Sequence, residues 1–372
     1  MFHRAPRVAT GVALAMILAG CSSSATPTPA PTVAPTPAPV ATPAPVATPA
    51  PVASASAAAL GAVVMIPKQV NNPYFDVAFK GAQQAQAALG GTITQVGPSA
   101  ADATQQIPFI QTATTQKVSA ILISADDATA IAPALQQAKA AGIKVVGYDS
   151  SPAVGAYDVF VNQADTAGIG KGLADMACDE APNCTGEIAV LSAAQTATNQ
   201  NAWIAAMQET MKDAKYANLK WDGVVYGNDD PAVSTTQAQA LLTAHPNLKV
   251  IVAPTTVGIV AAAQVVKAKN LTGKVFVTGL GTPKGMVDFV KGGQAPEFAL
   301  WNVTNLGYLA YAVAADLVAG TITGAPGEKF SVKFADGTST DYTIGADSVV
   351  VLGPPFVFNK DNIDQYVSSF GF

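Results

Sequence analysis

From residue 61 onward, short runs of apolar β-formers alternate with longer stretches of helical character, and the whole alternation occurs twice. "GAVVMI" (61–66) leads into "DVAFKGAQQAQAALG", "TITQV" precedes a segment around 102–116, "VSAILIS" precedes "ATAIAPALQQAKAAG", and "IKVVGY" and "YDVFV" follow. The second set is "EIAVL", "KWDGVVY", "KVIVAP" and "KVFVTGL", with amphipathic stretches near 199–214, 233–244, 257–269 and 284–291. Strands this uniformly apolar must be covered on both faces, and a helix between successive strands makes them parallel. Two such sets predict an α/β chain of two doubly wound parallel-sheet lobes joined by a hinge, and open sheets of this kind bind ligands beyond the carboxyl ends of their strands.

Two segments precede this body. Arg4 and Arg7 stand before "VATGVALAMILAG", an apolar run too short to remain as a membrane span and ending in small residues, which predicts a secretion signal over residues 1–20. The junction Leu18-Ala19-Gly20-Cys21 resembles the lipobox of bacterial lipoproteins, which implies that Cys21 is lipidated and becomes the mature N-terminus. Residues 21–60 are dominated by Ala, Pro, Thr, Val and Ser, repeat "PAPVAT" and carry no charge. Such a composition cannot pack a core. It reads as an extended tether, reaching up to roughly 120 Å at ~3.1 Å per residue. The body divides into a first lobe at 61–161, completed by about 303–345, and a second at 162–301, completed by about 346–372.

Residue types that are absent narrow the chemistry. The only arginines are Arg4 and Arg7, so the body lacks the planar fork that grips carboxylates and phosphates at two points. Without those two, 18 of the 20 basic residues remain against 25 acidic ones, a net charge of about −7 with no basic cluster, and nucleic acid is not an expected partner. His245 is the single histidine after the leader, in "TAHPNL" where a helix should stop, so histidine triads and multi-histidine metal sites are excluded. Cys178 and Cys184, six apart in "CDEAPNC", read as a loop-closing disulfide in an oxidising compartment. No metal, no cofactor and no catalytic residue are expected.

Just past the strands stand "PKQVNNPYF", "SADD", "DSS", "NQAD", "TATNQNAW", "GNDD", "PTT" and "GLGTP". Amides, hydroxyls and acids are also the residues of helix caps and turns, and "SADD", "GNDD" and "GLGTP" are read as no more than that. A neutral polyol needs carboxylates as acceptors, amides as both donor and acceptor, and an ammonium as donor. Lys68, Asp149, Asn162, Asn199, Gln200 and Asn201 match this requirement, with Asn72 beside them in "NNPYF". Sugar rings also stack on aromatic faces, and Phe75 and Trp301 are the expected pair, chosen over Tyr74, Tyr148 and Trp203. Trp301 and Asn302 follow "EFAL", where the chain should cross between lobes, so a hinge role competes with ligand contact.

The lobes, the lipobox and these post-strand residues resemble the sugar-binding proteins of ABC importers in the periplasmic binding protein type I class. "LSAAQTATNQNAWI", "IVAPTTVGIVAAAQ", "VTGLGTP" and "FALWNVTNLGY" are similar to the rhamnose-binding subfamily, whose near relatives are receptors for autoinducer-2. In those receptors the ligand is held by a lysine, an aspartate, an Asp-Gln pair and a Pro-x-Ala segment. The matching positions here are Lys68, Asp149, Asn199-Gln200 and Pro254-Thr255-Thr256. An amide in place of the acid and a threonine in place of the alanine favour a deoxy sugar. The resemblance implies a monomeric, lipid-anchored extracytoplasmic receptor without enzymatic activity. It would capture a small neutral sugar, L-rhamnose or a similar deoxyhexose, for a membrane ABC permease. The alternatives are a receptor for autoinducer-2 or a sensor for a membrane signalling partner. Asp149→Ala and Asn199→Ala are each expected to weaken binding more than about tenfold with little change in melting temperature.

Overall fold

A computed structural model describes residues 60–367. The leader, Cys21 and the tether as far as residue 59 lie outside the described residues. Five strands open the body: β1 (Ala62–Ile66), β2 (Thr92–Gln95), β3 (Ala120–Ile123), β4 (Lys144–Tyr148) and β5 (Val159–Asn162). Between the first four lie α1 (Pro73–Leu89), α2 (Ala103–Thr115) and α3 (Ala132–Ala140). The second set runs α4 (Thr166–Glu180), β6 (Gly186–Ser192), α5 (Thr198–Thr210), β7 (Leu219–Tyr226), α6 (Pro231–Ala244), β8 (Leu248–Ala253), α7 (Thr256–Ala268), β9 (Phe276–Gly279), α8 (Pro283–Lys291) and β10 (Glu297–Leu300). The chain closes with α9 (Val303–Ala319), β11 (Lys329–Lys333), β12 (Ser339–Thr343), β13 (Val349–Val351), β14 (Phe356–Asn359) and α10 (Ile363–Tyr366).

The first sheet has the order β13-β5-β4-β3-β1-β2, and every pairing in it is parallel. All four residues of β3 are fully buried, as a central strand covered by helices on both faces requires. The second sheet, β7-β6-β8-β9, is also wholly parallel. It is extended by a bridge from Leu280 to Ala299 and by β14 running antiparallel to β10. The chain therefore passes between the sheets after β5, after β10 and after β13. The last crossing differs from the sequence reading, which assigns residues from about 346 to the second lobe. Val349, Val350 and Val351 pair with Phe160, Val161 and Asn162, covering what would otherwise be the bare edge of β5, and the return comes at Phe356.

Helix α9 is held to α1 by direct backbone contact. A Cβ on Gly81 would lie 1.8 Å from the Thr304 carbonyl oxygen, and one on Gly307 would lie 1.7 Å from that of Ala78. Neither glycine can be enlarged unless the helices part. Gly307→Ala is expected to lower the unfolding free energy by about 1–3 kcal/mol, the usual range for overpacking, and an unchanged denaturation midpoint would contradict the contact. Cys178 and Cys184 are joined at the end of α4, with an S–S distance of 2.07 Å. Among the described residues, no helix is long and apolar enough to cross a membrane.

Candidate ligand-binding cleft

Strand ends from both sheets meet at one pocket, whose cavity measures about 40 Å³. On the first-lobe side, β4 stops at Tyr148 and Asp149 turns into the left-handed region, φ 60°, while the Ser150 amide donates back to the Tyr148 carbonyl at 2.6 Å. An aspartate tolerates this backbone better than most residues. The turn buries its carboxylate, which accepts from the Tyr74 hydroxyl at 3.0 Å and from Ser124 Oγ at 2.7 Å. Lys68, two residues past β1 and only 4% exposed, places its Nζ 3.8 Å from Asp149 Oδ2. Burial, with the Asp149 charge next, pushes the Tyr74 phenol well above its ordinary pKa, so the hydroxyl remains a donor.

The second-lobe side is built on the first turns of α5 and α7. Gln200, which lines the pocket, accepts at Oε1 from Ser192 Oγ at 2.7 Å and from the Ala193 amide at 2.8 Å, so its oxygen is occupied by the end of β6. Asn199 Oδ1 receives Lys68 Nζ at 3.0 Å, and its Nδ2 lies 3.4 Å from Asp149 Oδ1. Thr255 caps α7 and donates to Asp229. Burial raises the Asp229 pKa, opposed by that hydroxyl and by Lys68. Gln69 Nε2 reaches across to the Asp229 carbonyl at 3.2 Å. The two lobes are thus joined directly over the pocket.

Four aromatic side chains supply the apolar wall. Trp301 Nε1 donates to the Tyr74 hydroxyl at 2.9 Å, its ring packs against Trp203 at 5.7 Å between centroids, and Phe75 meets Tyr74 edge-on at 5.1 Å. Leu280 and Leu300 complete that side of the pocket.

Of the residues expected from sequence, Lys68, Asn72, Phe75, Asp149, Asn199, Gln200, Pro254, Thr255, Thr256 and Trp301 line this one pocket. Three do not. Asn162 ends β5 beneath β13, where its carbonyl receives the Leu352 amide at 2.8 Å. Asn201 lies two residues beyond Asn199 on α5, about 200° around the helix, and donates to the Gln195 carbonyl at 2.7 Å. Asn302 caps α9 by accepting from the Asn305 amide at 3.0 Å. Sequence reasoning missed Tyr74, Trp203, Leu280, Leu300 and Asp229. The doubled acid in "GNDD" carried the signal for the last, because one helix start uses one cap. Asp230 accepts from the Val233 amide to cap α6, which frees Asp229 for the cleft.

"SADD" divides in the same way. Asp127 accepts from the Thr129 and Ala130 amides, whereas Asp126 is buried with its Oδ2 unbonded. Burial raises the Asp126 pKa from 3.8 to about 8, with Lys68 opposing and Asp229 and Asp102 adding to the rise. Between those values the folded protein holds a proton that the unfolded chain has lost, so this group makes stability fall as pH rises from about 4 to about 8. Asp126→Asn is expected to melt at a higher temperature than the parent at pH 8, with the margin shrinking to nothing near pH 4. A margin independent of pH would contradict this account.

Two α/β lobes closing a polar, aromatic-walled pocket between facing strand ends define a solute receptor. The chain belongs to the periplasmic binding protein family, whose domain profile matches residues 63–322. A solved ABC-transporter solute-binding protein from Clostridium phytofermentas with bound L-rhamnose is 42% identical, covers 83% of this chain and 99% of its own, and superposes with a TM-score of 0.80. A sugar ABC transporter protein from Actinomyces odontolyticus is also 42% identical, over 82% of this chain and 97% of its own, with a TM-score of 0.66. LsrB from Clostridium saccharobutylicum in complex with AI-2 is 25% identical, over 82% of this chain and 99% of its own, with a TM-score of 0.75.

Proposed function

We propose that the chain is the extracytoplasmic solute-binding lipoprotein of an ABC sugar importer. Its lobes close over one small neutral sugar, L-rhamnose or a similar deoxyhexose, and deliver it to the permease. The observation that carries this reading is the composition of the pocket between the lobes. Lys68, Asp149, Asn199 and Gln200 form a polar side fitted to hydroxyls, and Phe75, Trp203, Trp301, Leu280 and Leu300 form an apolar side chemically suited to a ring face and a methyl group. The 42% identity to a rhamnose-bound receptor supports the choice of sugar. The Leu18-Ala19-Gly20-Cys21 junction supports the lipid anchor, and the protein acts as a monomer without cofactor or catalysis.

A second reading, a receptor for autoinducer-2, is favoured by the likeness to the AI-2 complex and by Lys68, Asp149 and Gln200 at the matching positions. A thermal-shift screen over pentoses, hexoses, deoxy sugars, polyols and autoinducer-2 separates the two. A ligand present at 1,000 times its Kd stabilises the folded state by about 4.1 kcal/mol. L-rhamnose is expected to give the largest shift. A larger shift with autoinducer-2 would favour the second reading, and no shift with any of these ligands would overturn both.

A further inference from the structure

The second lobe carries a side-chain cluster at the end of its sheet opposite the cleft. Glu187 is the second residue of β6, whose far end at Ser192 leads to the pocket, about 17 Å away at ~3.3 Å per residue. One donor atom each from Glu187, Asp222 and His245 lie within 4.8 Å of one another. Asp222 is brought there by an irregularity. The β6–β7 register shifts between Ile188 and Val190, which pair with Trp221 and Val224, so β7 carries one extra residue, and Gly223 takes φ 113°. Bulges of this kind re-aim a side chain.

The Asp222 side chain is 5% exposed, and its Oδ2 is closed from solvent, faces His245 Nδ1 at 3.4 Å and accepts no hydrogen bond. A cationic group already bridges the two acids. Lys220 Nζ lies 3.0 Å from Glu187 Oε1 and 3.1 Å from Asp222 Oδ1, on a side chain that is 66% exposed and so loses little packing if it swings out.

We infer that Glu187, Asp222 and His245 form a site for a divalent cation of the zinc type, with the Lys220 ammonium as the competing occupant. One imidazole nitrogen and two carboxylate oxygens suit zinc, which takes three protein ligands and a water, better than calcium or magnesium, which prefer more oxygens. Nδ1 is the ring nitrogen facing Asp222, so the tautomer protonated at Nε2 is the ligand. Ligand bonds of about 2.0–2.2 Å require the three groups to draw together slightly. The bound ion would tie β6, β7 and the end of α6 into one unit. This departs from the sequence expectation of no metal and gives His245 a role beyond the end of its helix.

The test is a calorimetric titration of chelator-treated full chain with zinc sulfate, repeated with cobalt(II) as an absorption probe. One saturable equivalent and a raised melting temperature are expected. His245→Ala and Asp222→Asn should each weaken binding more than tenfold, while Lys220→Ala should strengthen it severalfold by removing the competitor. The response to sugar should be unchanged in all three. Equal affinities in the parent, His245→Ala and Lys220→Ala, or weaker binding in Lys220→Ala, would overturn the site.

Discussion

Asp149→Ala is expected to abolish measurable sugar binding and to lower the melting temperature as well. The carboxylate is the acceptor for Tyr74 and Ser124 and the nearest carboxylate to the buried Lys68 ammonium. Removing one partner of such a pair leaves the other charge buried without compensation, which typically destabilises by about 3–5 kcal/mol. Alanine is also poorly suited to the φ of 60° at this turn. This corrects the sequence expectation of an unchanged melting temperature for Asp149, which assumes a group at a strand end rather than one 4% exposed and bonded on two sides. Asp149→Asn separates the effects, because an asparagine tolerates the backbone and keeps the shape while losing the charge. It should regain only part of the stability that alanine loses, because the Lys68 ammonium still lacks its carboxylate, and still bind more than about tenfold more weakly, a difference of about 1.4 kcal/mol or more by isothermal titration. Binding of Asp149→Asn at parental affinity would remove Asp149 from the site.

Trp301→Ala should have a comparable effect for a different reason. The indole is 2% exposed, donates to the Tyr74 hydroxyl and packs against Trp203 while forming one wall of the pocket. Truncating a buried tryptophan costs about 3–5 kcal/mol, and here it also leaves the Tyr74 hydroxyl without one of its two partners. Trp301→Phe retains most of the apolar wall but not the indole N–H. It should recover more than half of the lost stability and only part of the affinity. Chemical denaturation and sugar titration on the two variants check both statements. Full recovery of binding by Trp301→Phe would show that the hydrogen bond to Tyr74 does not position the wall.

The lobes were legible because parallel strands covered on both faces are uniformly apolar, as "AVVMI" and "AILI" are, and because a helix follows each. The β11–β12 hairpin escaped notice because "KFSVK" and "STDYT" bury only Val332 and Tyr342, leaving no apolar run to read. Site residues were legible where a polar side chain follows closely on a strand, as at Lys68 and Asp149, or stands on the first turn of the next helix, as at Asn199. Helix rotation defeated the reading at Asn201, and backbone or capping bonds did so at Asn162 and Asn302. Asp229 and Trp203 were missed because residue type alone does not divide cap from ligand-facing acid, or core ring from cleft ring; the partner each one meets does.

The central claim is that the pocket between Asp149 and Trp301 receives a neutral deoxy sugar. Two of the three tryptophans in the sequence, Trp203 and Trp301, line that pocket, and Trp221 does not. In a Trp221→Phe variant, indole fluorescence therefore reports the pocket alone. Titration with L-rhamnose is predicted to change that emission in a saturable way, at the same midpoint as the calorimetric binding curve. Calorimetric binding without any change in the emission of the two remaining indoles would place the sugar elsewhere and contradict the account.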